Sequence, residues 1–441
     1  MWLGAGAVAL FVVTVYATYA VMPARPGQPA HVPGLDFVSF YTAGTAVREG
    51  RSGDLYDLDA TRMFQASLER RDGLAIGKRY APWWNPPFYA LVFVPLSAMS
   101  FYQALSVWLA INIACTGIAV WMLCRMLPSG TDWRTWGLIP VLVVLSVPFM
   151  ETITHGQNAG MSLLLVTVTV YFWRKGRALP AGVVCGLLFY KPQLALVLAG
   201  VMVVDLGIGA GVGVAITGAA LLTINLVLLP GTLGAFLHQV PANLHFVQEQ
   251  SLYPWARHVT PKALFRVLIQ GQGVGETWRM VTALSYVTTL LFTGLLARAA
   301  IRVRGQRYLR DRLIAATILA TPVVMPFYFD YDLLLLAVPA VLVALDAARG
   351  SLNSPSPYPL PEGEREMRRS PGPLASPEAR GGNAAMFCLL YISLLFNADL
   401  AEGLRINFAS IFLMILSGTV IFRTNLREVA SHPAISQRLA A

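Results

Sequence analysis

Charge is what this sequence has least of. Asp, Glu, Lys and Arg together make up 13% of its 441 residues, about half the share of a soluble domain. A chain that faces water over its whole surface is therefore excluded. Cysteine is scarce too: Cys115, Cys124, Cys185 and Cys388 lie in or beside apolar stretches, with no CxxC and no Cys/His ligand spacing. That excludes a disulfide framework and a zinc site. Short segments of alternating polarity are missing, and with them a transmembrane β-barrel. No basic n-region precedes the first apolar block, 2–22, and its Tyr-Ala-Val-Met-Pro end offers no cleavage site. The block reads as a retained helix, not a signal peptide.

What is present is apolar: 56% of the residues, gathered into blocks of about 15–25, the span of a bilayer core. They lie near 2–22, 86–99, 101–126, 135–150, 157–174, 178–190, 192–205, 207–229, 278–300, 311–327, 329–347, 384–397 and 405–422. The pattern predicts an all-α polytopic membrane protein with about eleven to thirteen membrane segments. The formal net charge of +10 sits in short loops, so it reports topology through the positive-inside rule and not a nucleic-acid partner. "RAAIRVRGQRYLRDR" (298–312) and "RKGR" (174–177) are expected to be cytoplasmic.

Alternation from those clusters makes 23–85 and 230–277 external, along with the turns at "ETITHGQN", "KPQ", "FYFDYD" and "NADLAEG". Across 86–126 it demands an odd number of crossings where two blocks stand, which points to a half-spanning or re-entrant element at the Pro-bounded 86–99. The pair 178–190 and 192–205 also reads as one helix broken at Lys191-Pro192. Both external regions should carry short amphipathic helices, and "DLYDLDATRMFQASLERRD" (54–72) has the spacing of one lying on the membrane surface. Residues 348–383, rich in Pro, Ser, Gly and charge, read as a disordered cytoplasmic linker. They separate a unit at 1–347 from a helix pair and tail at 384–441.

Polar groups at membrane boundaries need partners or a function. On the predicted external face stand Asp36; Asn85; Glu151 with His155, Gln157 and Asn158; Tyr190, Lys191 and Gln193; and Asp330 with Asp332. Arg257, His258 and Lys262 of the second external segment can join them. A helix cap explains Asp36 as well as a function does, although Phe37, Phe40 and Tyr41 would partly desolvate its carboxylate and favour a general base. Capping likewise accounts for Asn158, and for Asp330 or Asp332. The prolines of "WNPPF" set up a helix entry, and a substrate contact by Asn85 is the sharper alternative. Gln157 and Asn158 carry amides suited to sugar hydroxyls. Lys191 stands between two apolar blocks at a proline break, where a lysine is paired or functional. An anionic phosphate is a natural partner for it.

The ordered pieces "DFVSFY", "LYD", "NPPFYALVFVPLS", "HGQNAGMSLLL", "GLLFYKPQLAL" and "FDYDLLLLAVPA" cover residues from about 33 to 340. In this they resemble the family 87 glycosyltransferases of the GT-C class, polyprenyl-phosphate-sugar-dependent mannosyltransferases of bacteria. The resemblance implies a GT-C-type helix bundle in the plasma membrane with its site facing the exterior or periplasm. It implies inverting transfer of a hexose, mannose above all, from a polyprenyl-phosphate donor to a lipid or glycan acceptor. The general base would be the acid of the first external loop, Asp36. Tyr41, Asn85, Glu151, His155, Gln157, Asn158, Lys191, Gln193, Arg257, His258, Asp330 and Asp332 would contact substrates, with Lys191, helped by Arg257 or His258, meeting the phosphate. No nucleotide-sugar, metal or other cofactor is implied. The sequence departs from the family pattern at "FYFDYD", where carboxylates replace a His-rich motif, and in the 350–383 stretch. A transporter or flippase for lipid-linked sugars, and a non-catalytic membrane subunit, are the alternative classes.

Overall fold

The computed structural model describes residues 34–74, 76, 80–128, 131–251, 253–351 and 377–426, so the apolar block 2–22 lies outside the described residues. The first helix, α1 (Leu35–Arg48), is anchored by aromatic residues. Phe37, Phe40 and Tyr41 are buried, and the Phe40 ring stacks on Phe93 at 4.8 Å. Asp57 caps α2 (Leu58–Asp72) by accepting from the Asp59 and Ala60 amides, both at 2.9 Å. The inner side of α2 is used up within the protein. Leu68 is buried, and Gln65 Nε2 donates to the Ala81 carbonyl at 2.9 Å and to Thr42 Oγ1 at 3.3 Å. This corrects the expectation for 54–72: the helix packs on α1 and exposes Arg62, Met63, Arg70 and Arg71, so its apolar face is not free for a membrane.

Residues 86–99 form two 3-10 turns, Pro87–Phe93 and Leu96–Ala98, pressed against α1. At Gly44 a Cβ would stand 2.5 Å from the Phe93 carbonyl oxygen, so only glycine allows this approach. Such turns are too short to cross a bilayer, and among the described residues of 86–126 only α3 (Phe101–Arg125) is long and apolar enough to do so. That is compatible with the odd crossing number that charge alternation calls for.

Then come α4 (Trp133–Val144), α5 (Val147–His155), α6 (Ala159–Arg174), α7 (Ala178–Gly186), α8 (Pro192–Leu206), α9 (Ile208–Leu228), α10 (Thr232–Gln250), α11 (Pro261–Gln270), α12 (Arg279–Arg302), α13 (Arg310–Val324), α14 (Ala337–Ser351), α15 (Pro377–Leu404) and α16 (Phe408–Leu426). The protein is an all-α polytopic membrane protein. Among the described residues five helices are long and apolar enough to cross a membrane, or six if α4 and α5, bent by 47°, count as one span. Hydropathy alone suggests twice as many. The reason is geometric. α6, α8 and α13 hold 16, 15 and 15 residues, which at 1.5 Å per residue reach only about 22–24 Å, short of the ~30 Å core.

The chain breaks at Lys191, where Pro192 opens α8. It turns back there, with Cys185 Sγ 3.7 Å from the Ala195 carbonyl oxygen, so 178–206 is a hairpin and not one continuous helix. α6, α8 and α13 run between two polar layers. At one end Arg174 binds Asp311 at 2.7 and 3.0 Å, Asp205 takes Arg310 and Trp173 Nε1 at 2.7 Å each, and Arg312 meets Asp346 at 2.6 Å. The other end carries Asn158, Lys191 and the 3-10 turn Asp330–Leu336. The C-terminal helices pack on this bundle, Ser417 Oγ donating to the Leu319 carbonyl at 2.5 Å. Helix reaches into both ends of 348–383, since α14 runs to Ser351 and α15 starts at Pro377. Residues 352–376 lie outside the described residues.

Candidate active site

α1 starts at Gly34, whose left-handed backbone makes the N-cap and leaves Asp36 inside the first turn. Asp36 is therefore not the helix cap. Its Oδ2 accepts from Gln157 Nε2 at 2.9 Å, a bond between residues 121 apart in sequence. Phe37, Phe40 and Tyr41 spend their rings on one another and on Phe93, Phe101 and Trp108. They fix the helix more than they shape the acid's surroundings.

Gln157 follows the C-terminus of α5. Gly156 ends that helix with φ +69°, and a Cβ on it would lie 2.7 Å from Phe37 Cβ. Its carbonyl accepts from Trp108 Nε1 at 2.9 Å, while the Gly34 amide donates to the Thr154 carbonyl at 2.8 Å. The start of α1 and the end of α5 are thus locked together.

Beside them lies a four-residue charge cluster. Arg257 forks onto Asp330, with Nε to Oδ2 at 3.0 Å and Nη2 to Oδ1 at 3.1 Å, and Nη2 also reaches Glu151 Oε2 at 3.1 Å. His155 Nδ1 stands 2.7 Å from Glu151 Oε2, and its Nε2 is 3.4 Å from Arg257 Nη1. About a quarter of the Arg257 side chain, 24%, is exposed. Burial opposes its charge, and the carboxylates of Asp330, Glu151 and Asp36 outweigh that cost, raising its pKa well above the usual guanidinium value. Gln157, which binds Asp36, follows the helix that carries Glu151 and His155 of this cluster.

Lys191 and Asp332 make a second, sealed pair at 2.5 Å, both buried. Tyr331 joins the two groups, its ring 5.0 Å from Lys191 Nζ and 5.9 Å from the Arg257 guanidinium carbon. Neither Asp330 nor Asp332 supplies a side-chain N-cap; the turn begins at Phe329 without one. The sequence suggested that an acid here would meet Lys191 or Arg257, and each of the two acids takes one of them.

Other candidates have different surroundings. Tyr41 donates to the Met99 carbonyl at 2.8 Å and accepts from Arg71. The Asn85 carbonyl accepts from Tyr56 at 2.8 Å. Asn158 is buried and gives no side-chain cap to α6; its Nδ2 reaches Tyr89 Oη at 3.1 Å. Gln193 sits half-buried in the first turn of α8. His258 is buried, with Nε2 2.6 Å from Tyr253 Oη. Burial first, then the charges of Arg257 and Lys262, push its pKa down to about 3, so it is neutral and no cation for a phosphate. A cleft between α1 and α2, lined by Ser39, Thr42, Asp54 and Trp83 among others, includes none of the clustered residues.

Two asparagines of the C-terminal pair bear on the site without having been singled out in the sequence. Asn397 Nδ2 donates to the Ala256 carbonyl at 2.8 Å and Asn407 Nδ2 to the His258 carbonyl at 2.7 Å, holding the turn that presents Arg257. "NADLAEG" marked Asn397 only as a loop residue; its partner is 141 positions away.

A family model, Glycosyltransferase family 87, matches residues 83–326. That range holds Glu151, Gln157, Lys191 and Arg257, while Asp36, Asp330 and Asp332 lie beyond it. No curated protein and no solved structure matches the chain.

Proposed function

The chain belongs to glycosyltransferase family 87, matched over more than half its length, and from that premise we propose an inverting hexosyl transfer with Asp36 as general base. The donor is a hexose, mannose above all, on a polyprenyl phosphate; the acceptor is a hydroxyl of a lipid or glycan. The reaction takes place at the non-cytoplasmic face of the bacterial plasma membrane. Asp36 removes the proton of the acceptor hydroxyl, the oxygen attacks the anomeric carbon from the side opposite the phosphate, and polyprenyl phosphate leaves. No nucleotide-sugar or metal enters this scheme.

One observation carries the choice of base. The site holds four carboxylates, and three of them face cations: Asp330 and Glu151 on Arg257, Asp332 on Lys191. An acid clamped by a guanidinium or ammonium is a poor proton acceptor, because the cation stabilises its charged form. Asp36 is bound by a neutral amide instead. We assign the leaving phosphate to Arg257 ahead of Lys191, since Arg257 is the more exposed cation and its planar fork suits phosphate oxygens.

The test uses purified protein in vesicles with polyprenyl-phosphate-mannose and a panel of hydroxylated lipid acceptors. Release of polyprenyl phosphate with a new glycolipid supports the reading. Movement of intact donor across the bilayer would identify a flippase, and neither result would leave a membrane subunit. Asp36→Asn should lower transfer by about 10²–10⁴ with yield and fold unchanged; near-wild-type turnover would discard Asp36 as base.

A further inference from the structure

Gln157 carries an amide that suits a sugar hydroxyl, yet the residue is only 7% exposed and its Nε2 already donates to Asp36 at 2.9 Å. Around it the backbone is unusually constrained. The Gln157 amide closes the end of α5 by donating to the Thr152 carbonyl at 2.8 Å. Gly156 packs against Phe37 and Gly34 with no room for a side chain, and Trp108 holds the Gly156 carbonyl. The Gly34 amide ties the start of α1 to Thr154. The Gly156 packing and the Gly34 bond join the segment carrying Gln157 to the segment carrying Asp36, while the Thr152 and Trp108 bonds hold the Gln157 turn itself in place.

We propose that Gln157 is a positioning residue for Asp36: its Nε2–H fixes carboxylate oxygen Oδ2 and leaves Oδ1 for the acceptor hydroxyl. The inference rests on Asp36 being the base. The surroundings of the acid call for such a device. The helix that ends beside Gln157 carries Glu151 and His155, which meet Arg257 at 3.1 and 3.4 Å, so a freely rotating carboxylate beside Gln157 would be drawn toward the guanidinium. Arg257 is already occupied by Asp330 and Glu151, and capture of a third acid would remove the base from its hydroxyl. A neutral donor holds the carboxylate with one directed bond while adding no cation, so it opposes protonation less than a salt bridge would. A rotamer held by one bond from a rigid backbone is what a reacting group placed to a fraction of an ångström requires.

Two near-isosteric variants test this. Gln157→Met removes the donor and keeps the bulk; Gln157→Glu replaces it with a like charge against Asp36. Gln157→Met should lower kcat about 3- to 10-fold, the worth of one neutral hydrogen bond, while KM for donor and acceptor stays within two-fold. Gln157→Glu should lower kcat further, and the acid limb of the rate profile should move to higher pH in both variants, most in Gln157→Glu. A raised KM with an unmoved acid limb would mean that Gln157 touches sugar, and unchanged kinetics would mean that it does nothing for the base; either overturns the proposal. A second readout needs no turnover: an infrared titration of the carboxyl band lost in Asp36→Asn. That band should titrate at higher pH in both Gln157 variants than in the wild type, and an identical titration refutes the positioning role. Loss of the reading of Asp36 as base shows instead in Asp36→Asn retaining transfer, so the two failures are separable.

Discussion

The two polar ends of the bundle are built from the same residue types and balance their charges differently. At the Arg174 end three arginines face three aspartates: Arg174 with Asp311, Arg310 with Asp205, and Arg312 with Asp346. Signs match one for one, and Asp205 spends its remaining capacity on Trp173 Nε1 and the Gly305 amide. At the Arg257 end two permanent cations, Arg257 and Lys191, and the titratable His155 stand among four acids, Asp36, Glu151, Asp330 and Asp332. A balanced, buried cluster is a packing solution, because each charge taken from water finds its counter-charge. An unbalanced one keeps a surplus acid at a cost in stability, and the proposed reaction uses that acid as its proton acceptor.

Substitutions should therefore behave differently at the two ends. The largest effect is expected from crossing the comparison. Asp36→Asn should remove activity by about 10²–10⁴ and leave the melting temperature in detergent unchanged. Asp205→Asn should do the reverse, destabilising the fold by about 3–5 kcal/mol as Arg310 loses its buried partner, with transfer per folded molecule retained. Equal loss of stability in both variants would dissolve the distinction. A smaller change sharpens it: Glu151→Gln removes one surplus charge and keeps the Arg257–Asp330 fork. KM for the anionic donor should fall by about two- to five-fold, the range of a partly exposed ion pair, and a raised KM would count against Arg257 as the phosphate residue.

The smallest effect concerns His258. Its folded-state pKa is pushed down to about 3, whereas the unfolded chain takes up the proton near the ordinary value of about 6.5. Between those values the unfolded state binds more protons, so stability falls as the pH drops below about 6.5. His258→Asn should flatten that decline in a pH series of melting curves. An equally steep decline in the variant would assign it to other groups.

Much of this was legible in the residues, and the limits have physical causes. Run length and charge scarcity marked the bilayer. The run 86–99 was suspect for its prolines, and it folds as 3-10 turns. Polar breaks in apolar runs singled out Asp36, Gln157, Lys191 and Asp330, because a polar group in such a place needs a partner. The identity of the partner was not readable. Gln157 finds Asp36 across 121 residues and Arg257 finds Glu151 across 106, and no local period encodes a contact between distant segments. The same limit hid Asn397 and Asn407, whose targets are backbone carbonyls that any residue would supply.

By itself, then, the sequence determined the solvent and the menu: hydrophobic run length selects helices in a membrane, since the bilayer leaves no other way to satisfy the backbone, and scarce polar residues become the candidates. Only the tertiary structure decided which candidates stand together and which acid there has an amide, not a cation, as its hydrogen-bond partner. Charge pairing depends on distances of a few ångströms between helices, and those are set by packing, such as the close approach of Gly34, Phe37 and Gly156 that brings Gln157 onto Asp36.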